Sequence, residues 1–242
     1  MVTVDVVWAV AIGYLFGSLP SAYILCKILL KGLDIRTVGS KNVGGRNLIR
    51  ALKQAGKPDW FSYSMGLVIL VFDVLKGYLA MLLVQYLSFK VANGDPWVIA
   101  FAGASAVLGH NWNIWLFSAG GKGVATSMGV LIFFNPIYIP IWLVGFFVIG
   151  SIVLYSAITY IINFITMGVV LYFWEWYVTP ISDTNFALVA DQIPLVAMIT
   201  LFALTVVVLS RQYENFAKIK SGEASKMKLW KIFKGKAEEA LK

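Results

Sequence analysis

The chain has 242 residues, of which 60% are hydrophobic and only 13% charged, with a mean hydropathy of +0.79. A soluble domain of this size carries roughly twice that charged fraction, so the composition indicates an all-α, polytopic integral membrane protein. The net charge of +8 points to the anionic cytoplasmic leaflet or to an anionic substrate, and no nucleic-acid partner is expected. One cysteine, Cys26, and one histidine, His110, leave neither a disulfide framework nor a cysteine- or histidine-based metal site.

The first apolar run, residues 6–30, is long enough to cross a hydrocarbon core of roughly 30 Å. It is too long for a signal peptide and has no basic start, so it reads as a retained helix. Small residues between Gly13 and Ala22 recur at helix-packing spacing, and Pro20 is expected to kink the span. A polar loop rich in Lys and Arg follows, over residues 31–59. Further spans are predicted at 63–87, 97–117, 124–134, 137–155, 158–177 and 193–209, making seven; the fourth is short and ends at Asn135-Pro136.

Seven spans put the termini on opposite sides, and charge orients them. The first loop holds Lys31, Arg36, Lys41, Arg46, Arg50, Lys53 and Lys57, and the segment from Arg211 to Lys242 holds nine more cations. The opposite loops hold Lys90 with Asp95, then Asp183 and Asp191. The positive-inside rule therefore predicts an N-terminus outside and a cytoplasmic C-terminus, with the first loop and the turn at residues 120–123 on the cytoplasmic side. Asp73 and Lys76 lie inside the second span at i, i+3, where they are expected to pair with each other, because isolated charge there is costly.

Two stretches carry candidate chemistry. Residues 109–126 read GHNWNIWLFSAGGKGVAT. The glycines permit positive φ and the exposure of successive N–H groups, and a helix starting near Gly123 adds its dipole beside Lys122. This is a phosphate cradle in principle, although it is not a Walker loop, because Leu116 replaces the first glycine of that pattern and Gly123 its hydroxyl residue. A plain hairpin with Lys122 as a cytoplasmic anchor is the other reading. The second stretch, Gly39 to Arg50, interleaves Gly, Ser, Asn and Arg, and either Arg46 or Arg50 offers a planar fork for a phosphate that Lys122 also neutralises.

These motifs together resemble the acyl-phosphate:glycerol-3-phosphate acyltransferases (PlsY). The resemblance runs almost to Gly222, through GSLPSAY at Gly17, DIRTVGSKN at Asp34, DVLKG at Asp73, GHNW at Gly109, GGKGVAT at Gly120 and RQYENFAKIKSGE at Arg211. It implies seven spans, and transfer of a fatty acyl group from acyl phosphate to the 1-hydroxyl of sn-glycerol 3-phosphate. The products would be lysophosphatidic acid and phosphate. No cofactor, metal or obligate protein partner is implied, and membrane lipids surround the chain.

Carried over by position, Ser40, Lys122 and His110 are expected to serve catalysis. Asn42, Arg46, Asn47, Arg50 and Asn215 would bind phosphate groups and the acceptor, while Gly120, Gly121 and Gly123 would shape the turn. The acyl chain is expected between helices, where the small residues of the first span leave room. The His-x4-Asp dyad of other glycerolipid acyltransferases is missing, since Trp115 stands five residues after His110.

The chain departs from the family pattern at Lys41 (for Gly), Gly45 (for Ala), Arg46 (for Thr), Asn113 (for Pro), Ala119 (for Lys) and Gln212 (for His). One account has Arg46 or Lys41 replace the cation missing at Ala119. Another has the pocket rebuilt for a different ligand, so a transporter or a non-catalytic binder of a phosphorylated solute or lipid precursor remains the alternative. Residues 1–222 are expected to form the acyltransferase domain and 223–242 a basic tail. In that tail Met227, Trp230 and Phe233 recur at helical spacing, as in a helix lying on an anionic leaflet; packing of these aromatics on the first loop is the other possibility.

Overall fold

A computed structural model describes residues 2–91, 95–177, 193–224 and 226. Asp183, Asp191 and the tail residues Met227, Trp230 and Phe233 lie outside the described residues. Within them the chain is helical, without strands.

The first expected span is two helices, α1 (Val2–Gly17) and α2 (Ser21–Leu29). Proline has no N–H to continue the ladder, so the break falls at residues 18–20, and the carbonyls it frees find side-chain donors. Asn113 Nδ2 donates to the Ser18 carbonyl at 2.6 Å, and Lys76 Nζ to that of Leu19 at 3.4 Å. The small residues of α1 do not leave room for a ligand. Gly13 and Gly17 lie so close to the backbone of Ala102 and Ala106 that a Cβ on either would overlap their carbonyl oxygens. Those glycines serve a tight helix crossing between α1 and α5 (Pro96–Asn111).

The basic loop is folded. Asp34 caps a short 3-10 turn at Ile35–Thr37 and grips the Arg36 guanidinium, with its closest contact at 2.7 Å. That ion pair and hydrogen bond hold the Asp34 carboxyl below the usual carboxylate range. Arg36 also lies over the Tyr23 ring and donates to the Leu116 carbonyl at 3.4 Å, tying the loop to α2 and to the chain before the glycine turn. Helix α3 (Gly45–Gln54) is amphipathic: Leu48, Ala51 and Leu52 are buried, while Arg46 and Arg50 are exposed. Its apolar face joins Ala22, Cys26, Ile35, Ile69 and Leu116 in a small core of its own.

Helix α4 (Asp59–Val91) is the long central element, packed by α1, α3, α5 and α6 (Val124–Phe134). The Asp73–Lys76 pair forms as expected, at 2.8 Å, with both side chains buried. Helices α7 (Tyr138–Val153) and α8 (Ser156–Tyr177) form a hairpin, and α9 (Ile193–Ser210) packs on α5 and α8 before a 53° bend into α10 (Tyr213–Lys220). The main core gathers Met81, Ile99, Leu131, Phe164 and Leu204.

Among the described residues two stretches, Asp5–Leu29 and Asp59–Leu87, are long and apolar enough to cross a membrane, and the bent pair α9–α10 makes a third if taken as one span. The third predicted span differs from its expectation, since α5 ends at Asn111 and the chain then turns. The fourth, α6, has 11 residues, about 16 Å of rise, which is about half a hydrocarbon core. Val71, Leu75, Val144, Val148, Phe202 and Val206 are all exposed, the outward apolar surface that lipid-facing helices present.

Candidate active site

A cavity of about 750 Å³ opens among α3, α4, the glycine turn, the α7–α8 hairpin and α10. Ser40, Asn42, Arg46, Asn47, Arg50, His110, Lys122, Gly123 and Asn215 all line it. Residues read from three distant parts of the sequence thus meet around one space. An apolar wall of Leu67, Leu70, Met128, Trp142 and Tyr160 continues it.

Asn47 is the staple of the first loop. It is buried, its Nδ2 donates to the carbonyls of Ile35 (3.0 Å) and Val38 (3.1 Å), and its Oδ1 accepts the Ser40 N–H at 2.9 Å. Its amide is therefore engaged with backbone, and what it holds is the position of Ser40. Lys41, where the family pattern has glycine, adopts φ +58°. An L-residue in that left-handed conformation costs roughly 1 kcal/mol. Lys41 is exposed and does not line the cavity, whereas Arg46 does. Of the two cations considered as replacements for the one missing at Ala119, only Arg46 stands at the site.

The glycine turn works differently from the open cradle expected of it. Gly121 N–H donates to the His110 carbonyl at 2.9 Å and Gly120 N–H to that of Ser118 at 3.1 Å, so both donors are spent internally. Neither glycine lines the cavity. Instead, a Cβ on Gly121 would overlap the His110 ring and one on Gly120 the His110 carbonyl. Their lack of side chains seats His110 against the turn. Gly123 alone of the three has positive φ (+77°) and precedes α6. The N–H groups of Val124 and Ala125 begin that helix without intrahelical acceptors, and both residues line the cavity beside Lys122. The helix start expected near Gly123 is therefore present, whereas the N–H groups of Gly120 and Gly121 are not open to an anion.

Burial lowers the Lys122 ammonium pKa to about 8; Glu214 opposes the shift, and Lys218, Arg46 and Arg211 reinforce it. Sequence reasoning does not single out Arg211. Its Nε and Nη2 face the carbonyls of Gly121 and Gly120 at 3.3 and 3.5 Å, and its guanidinium lies over the Trp112 ring. It fastens the turn to the start of α10. Gln212, where the family pattern has histidine, is fully buried and accepts a hydrogen bond from Asn215 Nδ2. Asn113 caps the turn before the glycines, accepting from Trp115 N–H at 3.0 Å while bonding Ser18.

Asp73 does more than pair with Lys76. It lines the cavity, accepts from Ser21 Oγ at 3.2 Å, and lies 3.6 Å from His110 Nδ1. A charge within a span is by default a functional-site candidate, so the sequence does carry a signal for it.

A family model described as glycerol-3-phosphate acyltransferase matches residues 7–222. A glycerol-3-phosphate acyltransferase of Geobacter sulfurreducens is 30% identical over 218 residues, covering 90% of this chain and 95% of that relative. Those of Trichormus variabilis and Thermus thermophilus are 39% and 38% identical, over 64% and 56% of this chain and 66% and 60% of their own lengths. Among solved structures, the fold is similar to PlsY, an integral membrane glycerol 3-phosphate acyltransferase, in its glycerol 3-phosphate form. The TM-score is 0.69 at 24% identity, covering 94% of this chain and 98% of that one; the lysophosphatidic acid form gives 0.68. The architecture and motif order derived above agree with the match over residues 7–222, and the chain belongs to the glycerol-3-phosphate acyltransferase family.

Proposed function

We propose that the protein transfers a fatty acyl group from acyl phosphate to the 1-hydroxyl of glycerol 3-phosphate, releasing phosphate and lysophosphatidic acid. The observation that carries this reading is one cavity with two chemistries. Cations and a helix start line the same space as an extended apolar wall, as a reaction joining a phosphorylated polyol to a fatty chain requires. The similar structures are of glycerol 3-phosphate and lysophosphatidic acid forms of PlsY.

The hydroxyl oxygen attacks the acyl carbonyl, the mixed-anhydride C–O bond breaks, and a phosphate oxygen takes the hydroxyl proton. Acyl phosphate is already activated, so the protein has mainly to bring two anions together and neutralise them. Lys122, Arg46 and Arg50 supply that charge, and Ser40 and Asn42 offer hydrogen bonds to the phosphates. Asn47 and the glycine turn hold Ser40 and His110 in place, Asn215 borders the site from α10, and His110 orders it beside Asp73. The chain crosses the membrane as seven segments with the N-terminus outside, residues 1–222 forming the domain and 223–242 a basic surface tail. The cavity then opens to the cytoplasm.

The test is turnover by purified protein in lipidic mesophase with palmitoyl phosphate and glycerol 3-phosphate, following phosphate and lysophosphatidic acid, with palmitoyl-CoA as a second donor. Lys122→Ala and Ser40→Ala are each expected to lose about 100-fold or more. Folded protein that turns over neither donor would sink the proposal in favour of a transport or binding role.

A further inference from the structure

The apolar side of the cavity is not uniform. Leu67, Leu70 and Met128 are aliphatic and adaptable, whereas Trp142 and Tyr160 belong to a stack of three rings with Phe146. Trp142 and Phe146 have centroids 5.2 Å apart at 6°, and Phe146 and Tyr160 lie 5.5 Å apart at 18°. Trp142 and Tyr160 are themselves 6.2 Å apart at 16°, so the three near-parallel rings form a triangle in which each touches the other two. This mutual packing limits their freedom to turn.

The backbone behind the stack is pinned as well. Asn163, buried on α8, donates from Nδ2 to the Trp142 carbonyl at 2.9 Å, and its Oδ1 sits where a Cβ on Gly145 would be. Trp142 Nε1–H is buried and has no acceptor among the described residues. Along α7 the Trp142 backbone lies about three turns, roughly 16 Å by helical rise, from the Val153 end, while Tyr160 lies about one turn, roughly 6 Å, from the Ser156 start of α8. The turn beyond Val153, at Tyr155 and Ser156, lines the cavity too. The cavity therefore reaches from this turn inward to the rings.

We propose that the Trp142–Phe146–Tyr160 stack is the end wall that sets the length of the acyl chain this protein accepts. The proposal rests on the acyl-transfer reading and deepens it. Each methylene buried is worth about fourfold in affinity, so donors gain with length until the terminal methyl meets the rings. Beyond that length a further methylene must displace a packed aromatic or buckle the chain, and the gain reverses.

Two readouts test this. One is initial rate with saturated acyl phosphates from decanoyl to stearoyl. The other, independent of turnover, is the thermal stabilisation given by alkyl phosphates of the same lengths. In the wild type both should pass through an optimum. Trp142→Ala should move that optimum by about two carbons and raise the ratio of long to short donors about tenfold, with the KM for glycerol 3-phosphate unchanged. Trp142→Phe, which keeps the stack, should give a smaller shift in the same direction and serves if the alanine variant does not fold. An unchanged length ranking in the variants, or an equal loss at every length, would overturn the end wall. Absence of turnover with every donor would overturn the acyl-transfer reading instead, and the alkyl-phosphate ranking would still decide whether Trp142 limits chain length.

Discussion

Lys122 shows how a residue's chemistry depends on where folding leaves it. As a lysine in a glycine turn it reads as a permanent cation, but burial, with Lys218, Arg46 and Arg211 nearby, brings its pKa down to about 8. Below that pH the ammonium is charged and can neutralise a phosphate; as pH rises through about 8 the charge is lost. We therefore expect kcat/KM for glycerol 3-phosphate, which reports the free enzyme, to fall above about pH 8 with the slope of one proton. Lys122→Arg keeps its charge throughout and should remove that descending limb even where its absolute rate is lower. A wild-type profile flat from neutral to alkaline pH would detach Lys122 from phosphate binding. Asn47 teaches the complementary lesson, because its type suggests a ligand contact while its hydrogen bonds are spent on the loop that presents Ser40.

At the scale of elements, α3 reaches the site because it crosses α4 at backbone distance. A Cβ on Gly45 would lie 2.7 Å from the Gly66 carbonyl oxygen, and one on Gly66 would overlap Ile49. The alanine of the family pattern therefore does not fit this crossing, and Gly45 is coupled to how closely α3 packs. Gly45→Ala should force the helices apart, destabilise the protein by about 1–3 kcal/mol and raise the KM for glycerol 3-phosphate by displacing Arg46 and Arg50. A thermal-unfolding midpoint and KM equal to wild type would show that the crossing yields freely. The same logic explains Arg36, whose fork is committed to Asp34 and which fastens the loop instead of binding substrate.

For the whole molecule, the orientation inferred from charge makes a direct prediction. With Cys26 replaced by Ser, single cysteines at Lys57 and at Lys220 should react with a membrane-impermeant maleimide only after the cell envelope is opened. Both positions are exposed, so access and not burial decides the result. Labelling of intact spheroplasts at either position would reverse the proposed topology and place the cavity outside.

Sequence by itself determined the helical membrane class of this protein and most of its long apolar helices, and it brought forward polar residues such as Ser40, Arg46, His110 and Lys122 that line one cavity. Membrane helices and glycine turns are local signals, governed by hydropathy along a short window and by backbone freedom at single residues. The starts of α6 and α9 at Val124 and Ile193 therefore fall at their predicted places. Tertiary structure alone decided the rest. The space beside the glycines of α1 is filled by α5, the donors of Gly120 and Gly121 are consumed internally, Asp73 joins the site from α4, and Arg211 fastens the glycine turn from the bend between α9 and α10. It also places Trp142 of α7 and Tyr160 of α8 on the wall of the cavity. Each of these depends on which backbones approach one another and which hydrogen bonds are already taken, and those are properties of pairs of segments far apart in the chain.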